Sequence, residues 1–236
     1  MNIQSLASSS AGNCYKVSDG STTLLLEAGI TIQRIKQGLN FRLSDIDGCL
    51  ITHSHQDHCK AVKDILKAGI DVYSTKETFE AVGANNEHRA QIIDTHKQFT
   101  INTFTIRAFK TEHDCPGSVG FLIFSTTTRE KLVFITDSYF VRYRFRGLTH
   151  IMVECNYAAD ILQAKVDSGM LQEAQVARLV QSHFSLGHVK DFLKANDLRQ
   201  VQEIYLLHLS AGNSDAVRFK REIQAITGKQ VIVCRE

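Results

Sequence analysis

The stretch that decides the fold is Ile51–Val62, which reads ITHSHQDHCKAV. His53, His55, Asp57 and His58 all fall within six residues of it. His53 and His55 are two residues apart, so an extended segment points both side chains to the same side. Imidazole and carboxylate groups are suitable ligands for zinc or a similar divalent ion. The pattern predicts a metal site, and the alternative is a solvated loop that happens to be rich in histidine.

The elements on either side of this stretch favour the metal site. A strand-like run, Leu50–Ile51, leads directly into it, and Val62, Ile65 and Leu66 share one helical face directly after it. Loops that join core elements this abruptly are held in place by those elements, and functional residues concentrate in such loops. We therefore expect a metal centre here.

The composition is that of an ordinary globular protein. The chain has 236 residues, 43% of them hydrophobic and 22% charged, and no linker or repeat, so we expect one domain spanning residues 1–236. A net charge of +2 is too small to indicate nucleic acid by itself. The six cysteines form no C-x-x-C pair, so a zinc-ribbon or thioredoxin-type motif is absent. Isolated cysteines in a chain of this size are expected to be reduced and mostly buried, which indicates a reducing compartment. Because no apolar run has the length of a membrane span and no leader is visible, we expect a cytoplasmic protein without a membrane partner.

Hydrophobic periodicity predicts short strands through the first half of the chain and helices in the last third. Strands followed by strand–helix alternation predict an α/β protein in which helices cover the outer faces of sheets. The predicted elements include a strand at Cys49–Thr52 and helices at Gln172–Gln181, Leu186–Ala195 and Asp215–Thr227.

The run Thr-His-Ser-His-Gln-Asp-His resembles the His-x-His-x-Asp-His signature of the metallo-β-lactamase fold. The resemblance implies an αββα four-layer sandwich with two metal ions between two β-sheets. It also implies that later segments supply the remaining ligands in a fixed order. Candidates stand in that order in KTEHDCPGSVGFLI (His113), KLVFITDS (Asp137) and EIYLLHLSAGN (His208), each at the end of an apolar strand pattern.

Taken singly, these three candidates have plainer explanations. His113 could be a turn residue, Asp137 a helix cap and His208 a core histidine. Their joint occurrence in the family's order makes coincidence implausible. By the resemblance, one metal is held by His53, His55 and His113, the other by Asp57, His58 and His208, and Asp137 bridges them. Histidine-rich ligation favours two Zn²⁺ ions, with Mn²⁺ as the alternative.

Two further stretches indicate which reaction this centre performs. HIMVECNYAAD places Glu154 at a strand end, and VQSHFSLGHVKDFL places His183 before a predicted helix. This resembles the carboxylate–histidine pair of phosphodiesterases such as tRNase Z, in which the histidine can protonate the leaving oxygen. The alternative is that Glu154 is a surface carboxylate and His183 an N-cap.

The whole pattern is most similar to the YycJ/WalJ-type branch, which is associated with DNA exonuclease activity. The matches run in order through LASSSAGNCY, LLLEAGI, THSHQDH, HDCPGSVGF, FITDS, VECNYA, SHFS and LLHLSAGN. Glu27 stands where the family usually has aspartate, at a position that supports the ligands, and Tyr157 stands where the branch often has histidine.

Two segments are candidates for substrate contact. In SYFVRYRFRGL, Arg142, Arg144 and Arg146 alternate with aromatic residues, so an extended segment would line three guanidinium groups along one face. A solvated strand face explains the same alternation. SSSAGN, which ends at Asn13, could bring backbone amides to a phosphate, or could be a plain turn.

We expect a dinuclear metal-dependent phosphodiesterase, most favourably a DNA exonuclease. The expected attack on phosphorus is by a metal-bridging hydroxide held by Asp57 and Asp137, with assistance to the leaving group from His183 and Glu154. The alternatives are a cyclic-nucleotide phosphodiesterase, then a thioester or lactam hydrolase, and last a non-enzymatic binding module. The sequence leaves the oligomeric state open, with a homodimer among the options.

Overall fold

The computed structural model describes residues 1–235, which form two compact units. The first unit comprises residues 1–110 and 115–130. The second comprises residues 111–114 and 131–235, so the chain contributes a short segment to it before the first unit is complete. That the chain acts as one domain stays a prediction.

The first unit is built on a six-stranded sheet with the strands in chain order. Its first three strands pair antiparallel and the later ones parallel. The strands are β1 (Asn2–Ser9), β2 (Gly12–Ser18), β3 (Thr23–Leu26), β4 (Gly48–Leu50), β5 (Val72–Ser74) and β6 (Ala90–Ile92). Three more strands pair antiparallel in chain order: β7 (Gln98–Ile101), β8 (Phe104–Lys110) and β9 (Val119–Ser125).

Short helices connect the parallel strands of the first unit. They are α1 (Ile32–Gly38), α2 (Gln56–Cys59), α3 (Val62–Lys67) and α4 (Lys76–Val82), with a 3₁₀ turn at Leu43–Asp45. α3 has the predicted apolar face, and Ile65 is completely buried. β4 ends at Leu50 rather than at the predicted Thr52, so the histidine-rich stretch leaves the sheet directly after the strand.

The second unit contains four parallel strands in the order β13-β12-β11-β10. They are β10 (Lys131–Ile135), β11 (His150–Glu154), β12 (Glu203–Leu207) and β13 (Gln230–Val233). Every residue of β11 is buried, as expected of a parallel strand covered on both faces. Asp137, Glu154 and His208 come at or just after the carboxyl ends of adjacent strands. Carboxyl ends of parallel strands share one edge of a sheet, which is where ligands bind in such sheets.

The helices of the second unit are α5 (Ala159–Asp167), α6 (Glu173–Ser182), α7 (Leu186–Ala195) and α8 (Ala216–Thr227). The last three confirm the predicted helices within a residue or so, whereas α5 was not predicted. Among residues 1–235, no helix combines the length and apolar character that a membrane span requires.

The segment that carries the alternating arginines is neither strand nor helix over residues 138–148. Val141 and Phe145 are buried and the three residues between them are exposed. Arg142, Arg144 and Arg146 are all exposed and the segment forms no strand, so the arginine face proposed from the sequence stays a prediction.

Candidate metal centre and histidine–glutamate pair

The loop of residues 52–58, here called the metal loop, is fixed at its start by Thr52. The Thr52 carbonyl accepts a hydrogen bond from the Val119 amide at 3.1 Å. The Thr52 hydroxyl lies 2.9 Å from Nδ1 of His53. This contact sets the ring so that Nε2 of His53 faces Nδ1 of His55 across 3.2 Å.

That spacing fits two nitrogens that share one divalent ion. Zn–N bonds of about 2.0–2.1 Å in tetrahedral geometry place two ligand nitrogens about 3.3–3.4 Å apart. His53 is buried, while His55 is half-buried, so the pair lies at the boundary between core and solvent. The donors and their separation therefore fit a metal ion held by His53 and His55.

The other end of the metal loop is supported by Glu27, which is completely buried. Its Oε2 lies 3.8 Å from Nδ1 of His58, while Nε2 of that ring lies 3.3 Å from Oδ2 of Asp57. Burial raises the pKa of Glu27, and its interactions with His58 and the Thr52 amide oppose that rise. Glu27 thus orients His58 and leaves Nε2 on the side of Asp57, which is how carboxylates commonly support ligand histidines.

The backbone at Glu27 is in the left-handed region, with φ of 66°. Its amide donates to the Leu50 carbonyl at 2.9 Å, which ties the strained residue to the end of β4. Strain of this kind persists where the surrounding structure enforces it and is common at functional sites. The longer glutamate reaches both His58 and the Thr52 amide from this position, with the amide nitrogen 3.3 Å from Oε1.

Replacing Glu27 with glutamine is expected to weaken divalent metal binding roughly 10- to 100-fold, the usual cost of losing a partner that orients a ligand histidine. Competition with a chromogenic chelator measures the affinity. Asp19→Asn is the matched control, because Asp19 is a buried carboxylate of the same unit that bonds Ser125 and Thr103. Equal affinity in Glu27→Gln and the unmodified protein would remove Glu27 from the metal centre.

In the second unit, Asp137 lies next to two of the predicted ligand histidines. Its Oδ1 is 3.3 Å from Nδ1 of His208, and its Oδ2 is 3.9 Å from Nε2 of His113. Nδ1 of His113 donates to the Ser182 carbonyl at 3.0 Å, which directs Nε2 towards Asp137. The Thr136 hydroxyl donates to Oδ1 of Asp137 at 2.9 Å. Within this unit, the predicted ligands therefore do come together around Asp137.

Two of these residues have the same backbone strain as Glu27. φ is 36° at Asp137 and 50° at His208, each just after a buried parallel strand. The left-handed region is uncommon for any residue other than glycine, although aspartate and histidine adopt it more readily than most. This backbone conformation turns the chain out of the sheet directly after each strand. The buried strand before it holds the residue in that conformation.

Glu154 and His183 form a close pair. Oε1 of Glu154 accepts a hydrogen bond from Nδ1 of His183 at 2.6 Å and lies 2.9 Å from Nδ1 of His208. Its Oε2 accepts from the amides of Ser138 and Phe184 at 3.3 and 3.1 Å. Glu154 is completely buried, and the side chain of His183 is 21% exposed. The buried carboxylate therefore orients the histidine, and the histidine is the member of the pair that reaches solvent.

Glu154 and His183 each stabilise the charged form of the other. Although burial opposes it, the charge of His183 and the hydrogen bonds from His183 and His208 lower the pKa of Glu154. Burial likewise opposes the charged form of His183, yet the charge and hydrogen bond of Glu154 raise the pKa of that histidine. The alternative descriptions from sequence do not fit: Glu154 is not on the surface, and His183 follows the end of α6 while Ser185 caps α7.

The structure brings the residues of the second unit into one cluster. Single ligand atoms of Asp137, Glu154, His183 and His208 all lie within 4.8 Å of one another. Sequence reasoning missed the hydroxyls that hold this cluster and the metal loop. Thr52 precedes His53 and Thr136 precedes Asp137, so a threonine directly before a ligand candidate was the available signal.

The candidate substrate residues have different surroundings. Nε of Arg142 donates to Oε1 of Glu112 at 2.6 Å, whereas Arg144 is exposed and makes no ion pair within residues 1–235. Arg146 is exposed, and its carbonyl accepts from Lys131 at 3.2 Å. Asn13 is completely buried, and its amide nitrogen lies 3.2 Å from the Asp57 carbonyl oxygen.

Comparison with known proteins finds relatives over most of the chain. Exodeoxyribonuclease WalJ of Streptococcus pneumoniae serotype 2 (strain D39 / NCTC 7466) is 26% identical over 228 residues, covering 89% of this chain and 81% of that protein. Exodeoxyribonuclease YycJ of Bacillus anthracis is 27% identical over the same length, covering 89% and 82%. The crystal structure of the metallo-β-lactamase fold protein YhfI from Bacillus subtilis superimposes with a TM-score of 0.72 at 15% identity, covering 99% of this chain and 96% of that one.

The predicted fold class is thereby confirmed, and the donor chemistry supports binding of a divalent metal. The chain is a metal-dependent hydrolase. The model of the beta-lactamase superfamily domain matches residues 22–209, a range that includes the metal loop and the cluster of the second unit. This chain therefore belongs to that superfamily.

Proposed function

We propose that this protein is a phosphodiesterase that cleaves nucleic acid, with exonucleolytic cleavage of DNA as its favoured activity. The observation that carries the proposal is the 2.6 Å hydrogen bond between buried Glu154 and partly exposed His183. A histidine held in this way can donate a proton to a leaving alkoxide oxygen, which a phosphodiester produces. The two exodeoxyribonucleases at 26–27% identity support the same choice.

The proposed metal ligands follow the order that the family resemblance gives. Two divalent ions would be bound, with zinc favoured over manganese. Their proposed ligands are histidines and aspartates, which lie near one another within each unit. When bound, such ions stabilise charge on the phosphoryl oxygens and lower the pKa of a water molecule. The ligands proposed are His53, His55 and His113 for one ion, Asp57, His58 and His208 for the other, and Asp137 as the bridge.

The protein's own residues supply the remaining steps. Asp57 orients the attacking water, and His183 donates its proton from Nε2 to the leaving oxygen, because its Nδ1 is bonded to Glu154. Asn13 supports the metal loop through the Asp57 carbonyl, a role that its complete burial favours over contact with substrate. Arg142, Arg144 and Arg146 are proposed to bind phosphates of the nucleic acid.

Replacing the three arginines with glutamine is expected to weaken DNA binding. The slope that describes the salt dependence of the binding constant should fall by about one unit for each phosphate that the variant no longer binds. Arg144 should account for the largest single effect, because Arg142 is paired with Glu112. Fluorescence anisotropy with labelled DNA at several salt concentrations measures both quantities.

The matched control removes the same charge from exposed Lys67, Lys220 and Arg221. It should change DNA binding little if the arginine segment contacts phosphate. Equal losses of DNA affinity in the two triple variants would show that net charge causes the effect and that the arginines are a solvated surface.

A panel of substrates tests the proposed function. Protein loaded with Zn²⁺ or Mn²⁺ is given end-labelled DNA, RNA of the same sequence, cyclic nucleotides, a thioester and a β-lactam in parallel. The proposal predicts cleavage of DNA from an end, seen as single-nucleotide products. Efficient turnover of a cyclic nucleotide without DNA cleavage would establish the runner-up, and turnover of only the thioester or lactam would refute phosphodiester chemistry.

A further inference from the structure

The second unit contains a pocket that none of the proposed metal ligands lines. Its volume is about 410 Å³, within the usual range for sites that bind small molecules. One wall is the irregular segment 140–144, and the other is α7 with the residue that follows His183. Its lining includes Phe140, Tyr143, Arg144, Phe184, His188 and Phe192. We call it the base pocket.

The base pocket has a rigid aromatic floor. Phe184 and Phe192 are 2% and 7% exposed, and their ring centroids lie 6.5 Å apart at an interplanar angle of 63°. The ring of Phe145 lies 6.3 Å from Phe192 on the side of the core. Because each floor ring is packed against others, the floor keeps its shape without a ligand.

The rim of the base pocket is aromatic as well, but it is exposed. Phe140 is 52% exposed and Tyr143 is 43% exposed, and both rings line the pocket. Exposed aromatic faces beside cationic side chains are the surfaces on which bases of single-stranded nucleic acids stack. The rim therefore has the character of a stacking platform.

Three polar side chains that line the base pocket can contact a ligand: Arg144, His188 and Asp191. Arg144 makes no ion pair within residues 1–235, and His188 and Asp191 lie three residues apart on α7, hence on one helical face. Asn196 is already used, since it accepts from the Phe145 amide at 2.6 Å and donates to the Phe192 carbonyl at 2.7 Å. A guanidinium for a phosphate, with a carboxylate and an imidazole for base edges, matches a nucleotide better than an apolar ligand.

The base pocket is also tied to the histidine–glutamate pair. Phe184 follows His183 in the chain, and its amide donates to Oε2 of Glu154 at 3.1 Å. The same carboxylate accepts from His183 through Oε1. One carboxylate thus holds both the proposed proton donor and the backbone of a floor residue, which fixes the floor relative to His183.

From these observations we propose that the base pocket binds a nucleobase of the substrate strand, stacked against Tyr143 and Phe140 with Arg144 on the adjoining phosphate. The proposal rests on the proposed function and goes beyond it, because it names the part of the substrate that the protein recognises and the residues that recognise it. It predicts that an end lacking its base is a poor substrate.

The test compares two DNA oligonucleotides that differ only at the terminal residues, which carry bases in one and are abasic in the other. The quantity measured is the ratio of kcat/KM for the base-bearing end to that for the abasic end. Stacking of one base predicts a ratio of about 5- to 150-fold in the unmodified protein. Tyr143→Ala combined with Phe140→Ala should bring the ratio close to one.

Phe41→Ala is the matched control, because Phe41 is 75% exposed and lies outside the base pocket. It should leave the ratio unchanged. Thermal unfolding checks that the rim variant still folds, which the exposure of both rings favours. A ratio near one in the unmodified protein, or a ratio that the rim variant retains, would overturn the base pocket.

A binding measurement separates this proposal from the proposed function. Metal-free protein is titrated with a nucleoside monophosphate and, separately, with ribose phosphate. The base pocket predicts tighter binding of the nucleotide, with the difference lost in the rim variant. If no phosphodiester is cleaved but this difference is present, the proposed function fails and the base pocket stands; equal binding of the two ligands overturns the base pocket itself.

Discussion

His55→Ala is expected to abolish both divalent metal binding at its site and hydrolysis of every substrate. The ring of His55 presents Nδ1 at 3.2 Å from Nε2 of His53, and its removal leaves one nitrogen where the metal loop presents two. Loss of a partner that merely orients a ligand costs roughly 10- to 100-fold in affinity, so loss of the ligand itself should exceed that range. Metal content by plasma mass spectrometry and the initial rate of DNA cleavage are measured on the same samples.

His88→Ala is the control for this experiment, because His88 is an exposed histidine of the same unit. It should retain metal and activity. Unchanged metal content and full hydrolysis in His55→Ala would contradict the assignment of the metal loop.

His183→Ala is expected to slow DNA cleavage by about 10²- to 10⁴-fold, the usual contribution of a positioned general acid. Metal content should fall little, because His183 is proposed to act on the leaving oxygen rather than to hold an ion. The test is a comparison of two leaving groups. Cleavage of DNA needs a proton for the departing sugar oxygen, whereas a nitrophenyl phosphodiester does not, so the variant should lose far less activity on the second substrate.

Glu154→Gln supplies the matching measurement. If Glu154 acts by orienting His183, the rate losses of the two single variants should not add in the double variant. Equal losses of His183→Ala on both substrates would show that the residue acts through structure or metal binding. Unchanged turnover on DNA would remove the histidine–glutamate pair from the mechanism.

Much of the fold follows from local patterns in the sequence. The apolar run before Asp137 and the one before His208 are continuous because parallel strands are buried on both faces, and such runs mark strands without knowledge of their neighbours. α6, α7 and α8 likewise show the helical spacing of apolar residues. The order of the candidate ligands along the chain is visible for the same reason, since each stands just past such a run.

The features that could not be predicted depend on contacts between distant parts of the chain. The irregular segment 138–148 has a period-two alternation of arginine and aromatic residues, yet it forms no strand, and Val141 and Phe145 are buried while Tyr143 between them is exposed. The base pocket requires that this segment face α7, and nothing in either stretch alone indicates the other. The strained backbone at Glu27 also follows from its bond to Leu50 rather than from local preference.

A metal titration tests most directly whether this protein cleaves DNA with divalent metal ions held by its histidine and aspartate clusters. Chelator-stripped protein receives Zn²⁺ or Mn²⁺ in steps, and native mass spectrometry counts the bound ions while cleavage of end-labelled DNA is measured on the same samples. We expect no cleavage by the stripped protein and full activity when two ions are bound. DNA cleavage by protein without metal, or no cleavage by protein that carries two ions, would contradict the proposed function.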